Sequence, residues 1–529
     1  MIRTMQSTGL ARSDESEVTP LPAIVEAVRS RSGARERPMR ASFFEFQHKI
    51  TLLETAFEMV QRHLMAGDVV TYRFLGYDVP FTNQSPYAGS TLFGPWLPER
   101  NAARLVAGPN FDFVPRTRLR RTPLPYPVPD SLEDLMELRH GSFDVGMAVA
   151  SSLISLTRNS QFSPVEHRAW VRRVLEGAIA VHDFALRVLD DERPDVVYVF
   201  NGRHTYERAV RRACEAAGVT CLMYEWGSSP ERFYLRPFAP HDRDRVQEEM
   251  RASWEAARDD PEAHAAARRW FVERREGQPK DWPSFTTLQQ RGHLPERLDG
   301  ERVVAYFSSS DDEFVAIGDE YRWQGWTDQF DAVRQLIQVV DGIGDTRLVV
   351  RIHPHLMHKY PLERERWMAL QGCSPALTVV APESEVDTYA LIEAADLVVT
   401  GGSTVGVEAV HWGRPSVLLG PSEYDELGIV HRPADAAELA RMLCESTLTV
   451  DREAALVYGY YRATFGEPYI VYQPTGFHRG TFLGVDLRPA PWKALAAGRR
   501  RVQATIHAMK RWRARIAGGM ASSRVTGTR

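Results

Sequence analysis

The chain has 529 residues, 43% of them hydrophobic and 25% charged, with a formal net charge of −4. This is an ordinary globular composition with room for two domains plus extensions, and its near-neutral balance argues against a general nucleic-acid binder. No run approaches the ~20 apolar residues of a membrane span, and the polar stretch Met1 to Pro20 has no signal-peptide core.

The four cysteines, Cys214, Cys221, Cys373 and Cys444, lack metal or redox spacing. They read as buried structural thiols of a protein kept in a reducing, cytoplasmic setting. Residues 1–40 are polar with few aromatics and read as a disordered leader. Ser42 to Met65 carries apolar residues at helical spacing, and Asp68 to Leu75 reads as the first strand. Residues 80–130 are rich in Pro, Gly and Asn and look like a long loop, a natural acceptor region. Ser163-Pro164-Val165-Glu166 is a capping box that opens a helix to about Leu189. Asp195 to Phe200 is a buried strand, Thr205 to Ala217 a helix, and Thr220 to Tyr224 the next strand. These three make a βαβ unit.

Residues 237–300 are highly charged and read as a helical connector. A second run of strands follows at Arg302 to Phe307, Arg347 to Ile352, Leu377 to Val380, Leu397 to Thr400 and Ser416 to Leu419, with helices between. The fold class is therefore α/β, with two Rossmann-like domains facing across a cleft. The expected division is 41–236, the connector 237–300, 301–465, and a closing segment 466–529.

The second half is organised around Ala395 to Gly420. Leu397 to Thr400 is a β-branched run suited to a buried parallel strand. Gly401 and Gly402 form a turn where backbone can approach a ligand, Ser403 is a good N-cap, and Gly413 ends the helix. Such turns at the carboxyl ends of parallel strands bind ligands, and helix N–H groups there favour phosphate. The other strands of this half end in Ser308-Ser309-Ser310, His353-Pro354 and Pro382 to Ser384. In a parallel sheet these turns share one edge, giving hydroxyls, backbone N–H groups and an imidazole around a nucleotide phosphate.

Each residue has a plainer reading beside the functional one. Ser384 suits a helix cap. Glu408 can accept from ribose hydroxyls or lie on the surface of its helix. His353 can donate to a phosphate or cap a turn. Asn201-Gly202-Arg203 and Glu225 follow successive strands of the first half. Arg203 can hold a phosphate or acidic sugar, or pair with Glu207. Glu225 can take a proton from a hydroxyl, or bond to its own turn. Asp311, Asp312 and Glu313 read mainly as a solvated helix start. His353, His355 and His358 lack zinc spacing, and Asp242-Arg243-Asp244 lies in the connector, so no metal or resident cofactor is expected.

The pattern Gly-Ser-Thr-x-Gly-x-Glu-Ala from Gly402, followed by Gly413-Arg414-Pro415, resembles the donor half of GT-B glycosyltransferases. It is most similar to the bacterial capsule-polysaccharide biosynthesis enzymes related to the His-Pro-motif Kdo and sialic acid transferases. Arg351-Ile352-His353-Pro354 resembles their basic-x-His-Pro motif, and Asn201-Gly202-Arg203 and Glu225-Trp226-Gly227 match further parts of the pattern. The likeness spans roughly residues 130–430. It implies a metal-independent transferase that takes a nucleotide-sugar, with a CMP-sugar favoured, and a polysaccharide or lipid-linked glycan acceptor. Ser308, Ser309, Ser310, Arg351, His353, Pro354, Ser384, Ser403, Thr404 and Glu408 would then serve the donor, and Asn201, Gly202 and Arg203 the acceptor or a phosphate. Glu225 and His353 are the expected catalytic groups. Nucleotide-sugar 2-epimerases share the fold and stand as one alternative, a non-catalytic capsule-assembly partner as another.

From Arg488 to Arg529 there are eleven Lys and Arg and no Asp or Glu. Val502, Ile506, Met509, Trp512 and Ile516 recur at helical spacing within this stretch. A basic amphipathic tail of that kind suits the surface of an anionic membrane, or packing back on the first domain.

Overall fold

The computed structural model describes residues 21–33, 37–46, 50–76, 78–80, 98–121, 123–278, 288–296, 298, 302–358, 361–444, 448–476 and 479–487. The leader 1–20 and the basic tail from Arg488 onward lie outside the described residues.

The first sheet contains β1 (Arg40–Glu45), β2 (Val69–Phe74), β3 (Phe111–Val114), β4 (Val196–Phe200), β5 (Thr220–Trp226) and β6 (Arg232–Arg236). The second contains β7 (Arg302–Phe307), β8 (Thr346–Arg351), β9 (Leu377–Val380), β10 (Leu397–Thr400) and β11 (Ser416–Leu418). Three short strands follow: β12 (Glu467–Pro468), β13 (Tyr472–Gly476) and β14 (Arg479–Phe482). The first sheet runs β12-β6-β5-β4-β1-β2-β3 and the second β11-β10-β7-β8-β9. Strands β1 to β5 pair in parallel, as do β7 to β11. Each parallel core thus has the doubly wound order, with its switch point between the first strand and the fourth. The chain folds as two Rossmann-like halves.

The reason for parallel pairing is visible in the strands. Val196 to Phe200 and Leu397 to Thr400 are buried at every position, so both faces need cover. Helices Val145–Thr157, Arg168–Glu192 and Thr205–Ala217 cover one face of the first sheet, and Ile50–Met65 with β13 and β14 covers the other. Gln329–Ile343 and Ala436–Cys444 pack on one face of the second sheet, Thr388–Ala394 and Val405–His411 on the other.

Several expectations need correction. Ser42 to Glu45 is strand, not helix, so the Asp68 region holds the second strand. The helical spacing belongs only to Ile50–Met65. The stretch 80–130 is not one loop: Pro98–Leu105 is a helix and Phe111–Val114 an edge strand. The helix is short and has few apolar positions, and the strand is only four residues long. The long helix begins at Arg168; the Ser163 hydroxyl does cap Glu166 N–H at 3.4 Å, but within a turn. Strand β6 was missed, because Arg232 and Arg236 bracket its short apolar centre and hide the alternation. Cys214 and Cys221 are buried, whereas Cys373 and Cys444 are exposed.

The charged connector forms helices Arg243–Ala257 and Pro261–Arg275. Val246, Met250, Trp270 and Phe271 on these helices pack with Val407, Leu418 and Tyr458 of the second half. After the helix Leu456–Thr464 the chain returns to the first sheet, where β12 pairs antiparallel with β6. Among the described residues, no helix is long and apolar enough to cross a membrane.

Candidate functional site

The second half builds its candidate site at the switch point between β7 and β10. Ser308, Ser309 and Ser310 follow β7, and Gly401 to Thr404 follow β10. The two turns are locked together at close range. A Cβ on Gly401 would lie 2.8 Å from the Gln329 carboxamide oxygen and 2.9 Å from the Tyr306 hydroxyl. One on Gly402 would lie 2.9 Å from the Pro421 carbonyl and 3.6 Å from Ser309 Oγ. Gly402 also has φ +151°, so both glycines are required by space and one by backbone as well.

Gln329, wholly buried at the start of its helix, organises the serine turn. Its Oε1 accepts from Ser309 N–H at 2.6 Å and from Tyr306 OH at 3.1 Å, and its Nε2 donates to Asp311. Ser308 Oγ accepts from His353 N–H at 2.8 Å, which ties the serine turn to the His-Pro turn. His353 Nδ1 accepts from His355 N–H at 3.1 Å, so in the neutral ring Nε2 carries the proton and is the donor nitrogen. Among the described residues, the buried hydroxyls Ser309 Oγ and Ser310 Oγ have no hydrogen-bond partner.

Other predicted donor residues are occupied within the fold. Arg351 is buried and donates to the Ala381 carbonyl at 2.7 Å and the Ser384 carbonyl at 3.3 Å, clamping that turn. Burial lowers its pKa to about 10. Ser384 Oγ accepts from Val386 N–H at 3.3 Å within the turn, so it is not the helix cap of its plainer reading; Asp387 caps the helix that follows. Ser403 Oγ accepts from Val405 N–H at 3.3 Å, and the cap position itself belongs to Thr404. Glu408 is buried, not a surface residue. It accepts from Thr404 Oγ at 2.9 Å and from Tyr389 OH, and lies 3.5 Å from the Arg274 guanidinium.

The acids after β7 are not a solvated helix start. Asp312 is buried and pairs with Arg158 of the first half at 3.4 Å, while Glu313 lies 3.4 Å from His355. The Asp311 carboxyl is pushed up to about 7, first by burial and then by the nearby Glu363 and Asp328 carboxylates. Arg158, Ser309, Asp311 and Glu363 line one small cavity of about 10 Å³, space for about one water. Ser309 therefore faces the junction of the two halves.

The first half answers with the switch point between β1 and β4. Asn201 and Gly202 both take left-handed φ, +54° and +72°, so the chain turns sharply after β4. A Cβ at Gly202 would strike the Met223 side chain at 2.7 Å. Glu225 lies inside the extended β5, not beyond its end. Its Oε2 accepts from Asn201 Nδ2 at 2.8 Å and from Tyr234 OH at 3.1 Å.

Arg203 does not pair with Glu207; its Nε donates to Ser151 Oγ at 2.8 Å. It is 8% exposed, and its Nη2 is buried without a partner among the described residues. Burial lowers its pKa to about 10, opposed by Glu313, Tyr321 and Asp312 of the second half. The carboxyl edges of the two sheets thus meet. Arg208 Nη1 donates across the junction to the Ile317 carbonyl at 2.7 Å, and Ser160 N–H to Glu363 at 3.2 Å. Among the described residues, no group of three or more His, Cys, Asp or Glu is gathered for a metal ion.

No protein-family model and no curated protein matches the chain. Among solved structures it is similar to Thermosulfurimonas dismutans KpsC, beta Kdo 2,4 transferase. That pair has 14% identity and a TM-score of 0.34, and the match covers 50% of this chain and 78% of that one. A putative UDP-N-acetylglucosamine 2-epimerase from Listeria monocytogenes has 15% identity and a TM-score of 0.26, with 83% and 93% covered. The spinosyn rhamnosyltransferase SpnG has 14% identity and a TM-score of 0.23, with 80% and 95% covered.

Three residues of the assembled site escaped the sequence reading. Gln329 sits some twenty residues after the turn it holds, on a helix whose pattern shows only its apolar stripe. Tyr234 belongs to the missed β6. Glu45 closes β1 as a buried carboxylate that accepts from Tyr224 OH and from Phe46 N–H at 2.9 Å. An acid after four apolar or small strand residues was the one available signal, and the helical reading of that stretch concealed it.

Proposed function

We propose that the chain is a metal-independent glycosyltransferase of the GT-B type. It would move a sugar from a nucleotide-sugar, a CMP-sugar by preference, to a capsule-type polysaccharide or its lipid-linked precursor. The reading is carried by one observation: Ser309 Oγ and Ser310 Oγ are buried and unpartnered at the switch point of the second sheet. Buried polar atoms require partners, and phosphate oxygens accept from hydroxyls. The first half adds Arg203, with an unpartnered guanidinium nitrogen on the facing edge.

In this reading the second half binds the donor. Glu225, held by Asn201 and Tyr234, takes the proton from an acceptor hydroxyl as that oxygen bonds to the anomeric carbon. The bond from that carbon to the donor phosphate breaks with both electrons, and the charge on the departing phosphate is met by the serine hydroxyls and His353 Nε2–H. Arg203 binds a phosphate or an acidic sugar. Arg351, Ser384 and Ser403 shape the turns around the donor. The enzyme would work at the cytoplasmic face of the membrane, drawn there by the basic tail.

The test is thermal-shift screening against CMP, UDP, GDP and CDP and their sugars, because ligand bound only by the native state stabilises it by mass action. Stabilisation by one nucleotide series, removed in Ser309→Val, is the expected result. No shift with any nucleotide, and no transfer from any of the sugars, would end the proposal. Turnover of a UDP-sugar without acceptor would replace it with an epimerase.

A further inference from the structure

The connector helix Pro261–Arg275 packs on the helix that follows the glycine turn, Val405–His411. Trp270 and Phe271 share a core with Val407 and Val410, and the Phe271 ring stacks on His411 at 3.9 Å and 7°. These contacts fix the two helices against each other. Arg274, one turn beyond Trp270, holds its guanidinium 5.5 Å from the centre of that ring. Trp270 is buried in the same core, so it is a rigid wall for the arginine stem.

From that wall Arg274 reaches the donor turn. Its Nη2 lies 3.4 Å from Thr404 Oγ and 3.5 Å from Glu408 Oε1. Thr404 is two residues beyond Gly402, where a Cβ would lie 3.6 Å from Ser309 Oγ. A guanidinium from the connector thus stands next to the turns that hold the unpartnered serine hydroxyls. Both of its distances exceed the about 2.7–2.9 Å of a closed charge-assisted bond, so the ion pair is loose. Glu408 has closer donors in Thr404 Oγ at 2.9 Å and in Tyr389 OH. The Arg274 side chain is 29% exposed and that of Glu408 is 3% exposed. The carboxylate is enclosed, and the guanidinium reaches the surface beside the turn.

A phosphate at the serine turn carries full negative charge, and a fixed cation beside it favours binding. Arg351, the arginine of the His-Pro motif, is closed on the Ala381 and Ser384 carbonyls. We propose that Arg274 binds the phosphate of the nucleotide-sugar donor, as a guanidinium supplied by the connector helix and oriented by Glu408. The inference rests on the donor reading of the serine turn. The planar fork of an arginine can serve a carboxylate and a phosphate at once. When the bond from the anomeric carbon to the phosphate oxygen breaks, the electron pair stays on that oxygen. The Arg274 charge then stabilises the departing group.

The experiment is calorimetric titration of the full-length chain with CMP, UDP, GDP and CDP. The wild type is compared with Arg274→Met, Arg274→Lys, Glu408→Gln and the double variant Glu408→Gln/Arg274→Met. Arg274→Met should weaken the bound nucleotide by about ten- to a hundredfold, the scale of one charge-assisted hydrogen bond. Arg274→Lys keeps the charge and should recover part of that loss. The decisive comparison is made without the ion pair. If Arg274 only neutralises Glu408, Arg274→Met costs nothing once residue 408 is neutral. If Arg274 binds phosphate, a loss of about ten- to a hundredfold persists in that background, which is the expected result. The comparison survives even where Arg274→Met alone fails to fold, because the double variant leaves no buried carboxylate without its counter-charge. Wild-type affinity in Arg274→Met would overturn the proposal and leave the donor site standing. So would a loss that vanishes in the Glu408→Gln background. A wild type that binds none of the four nucleotides would overturn it together with the donor reading.

Discussion

The switch points of the two sheets have the same strand order but hold their polar groups differently, although the first also keeps one unpartnered atom, Arg203 Nη2. In the first, Asn201, Tyr234 and Glu225 satisfy one another, and Tyr224 satisfies Glu45. In the second, Gln329 satisfies the backbone of the serine turn and leaves the hydroxyls of Ser309 and Ser310 without partners. A doubly wound sheet supplies a place at its switch point, and the side chains there decide what the place is for. A carboxylate held by two donors is oriented for proton transfer. Buried hydroxyls without partners are open to an acceptor, which in the proposed function is a phosphate.

The largest expected effect tests the first side of this contrast. Glu225→Gln keeps the size and a carbonyl oxygen for Asn201 and Tyr234 but removes the base. If Glu225 takes the acceptor proton, transfer should fall by about 10²- to 10⁴-fold with nucleotide affinity unchanged. Steady-state transfer and thermal shift on the same preparation read both. Wild-type rates in the variant would move the base elsewhere, with Glu45 next in line, and unimpaired glycan production in cells would favour the non-catalytic partner.

The second side is tested through Gln329. Leucine there leaves Ser309 N–H and Tyr306 OH buried without an acceptor, at about 1–3 kcal/mol for each group. Gln329→Leu should therefore lose roughly 2–6 kcal/mol in chemical denaturation and lose nucleotide-induced stabilisation as well. Gln329→Glu, which keeps the acceptor oxygen, should recover part of both. A stable Gln329→Leu variant with wild-type nucleotide response would show that the serine turn holds itself.

How much of this was legible follows from range. The strands of the second half were placed to within a residue, because long β-branched runs bounded by Gly, Pro and Ser admit one reading. The turns after them were equally plain, since strand ends in a parallel sheet share an edge. The assignments within that edge were not. Arg351 and Ser384 had the right types and positions yet close a turn on each other, and Arg203 turned from the local Glu207 to the distant Ser151. Gln329, Tyr389 and Arg274 complete the site from elements far along the chain, and only the folded packing selects them. The first half was read less well because β1 and the helix after it abut, and two short periodicities merged into one apparent helix.

The smallest effect concerns pH and the junction of the halves. The Asp311 carboxyl is raised to about 7, by burial first and by Glu363 and Asp328 next. An unfolded aspartate titrates near 3.9. Between about pH 4 and 7 the folded state therefore holds a proton that the unfolded chain has released. Stability falls as pH rises through that window and reaches its full deficit above about 7. The deficit is of order 2–4 kcal/mol at pH 8 relative to pH 4. Asp311→Asn is neutral throughout and keeps an oxygen for Gln329 Nε2–H, so it should lack this loss. Denaturation of both proteins at pH 5 and pH 8 measures the difference of differences, which cancels every other titrating group. A variant at least 1 kcal/mol less sensitive to that change is the expected outcome. Equal sensitivity would mean that Asp311 is ionised in the folded protein and held by partners across the junction. The serine turn would then carry a fixed negative charge beside the proposed phosphate position, and the contrast between the two switch points would have to be redrawn.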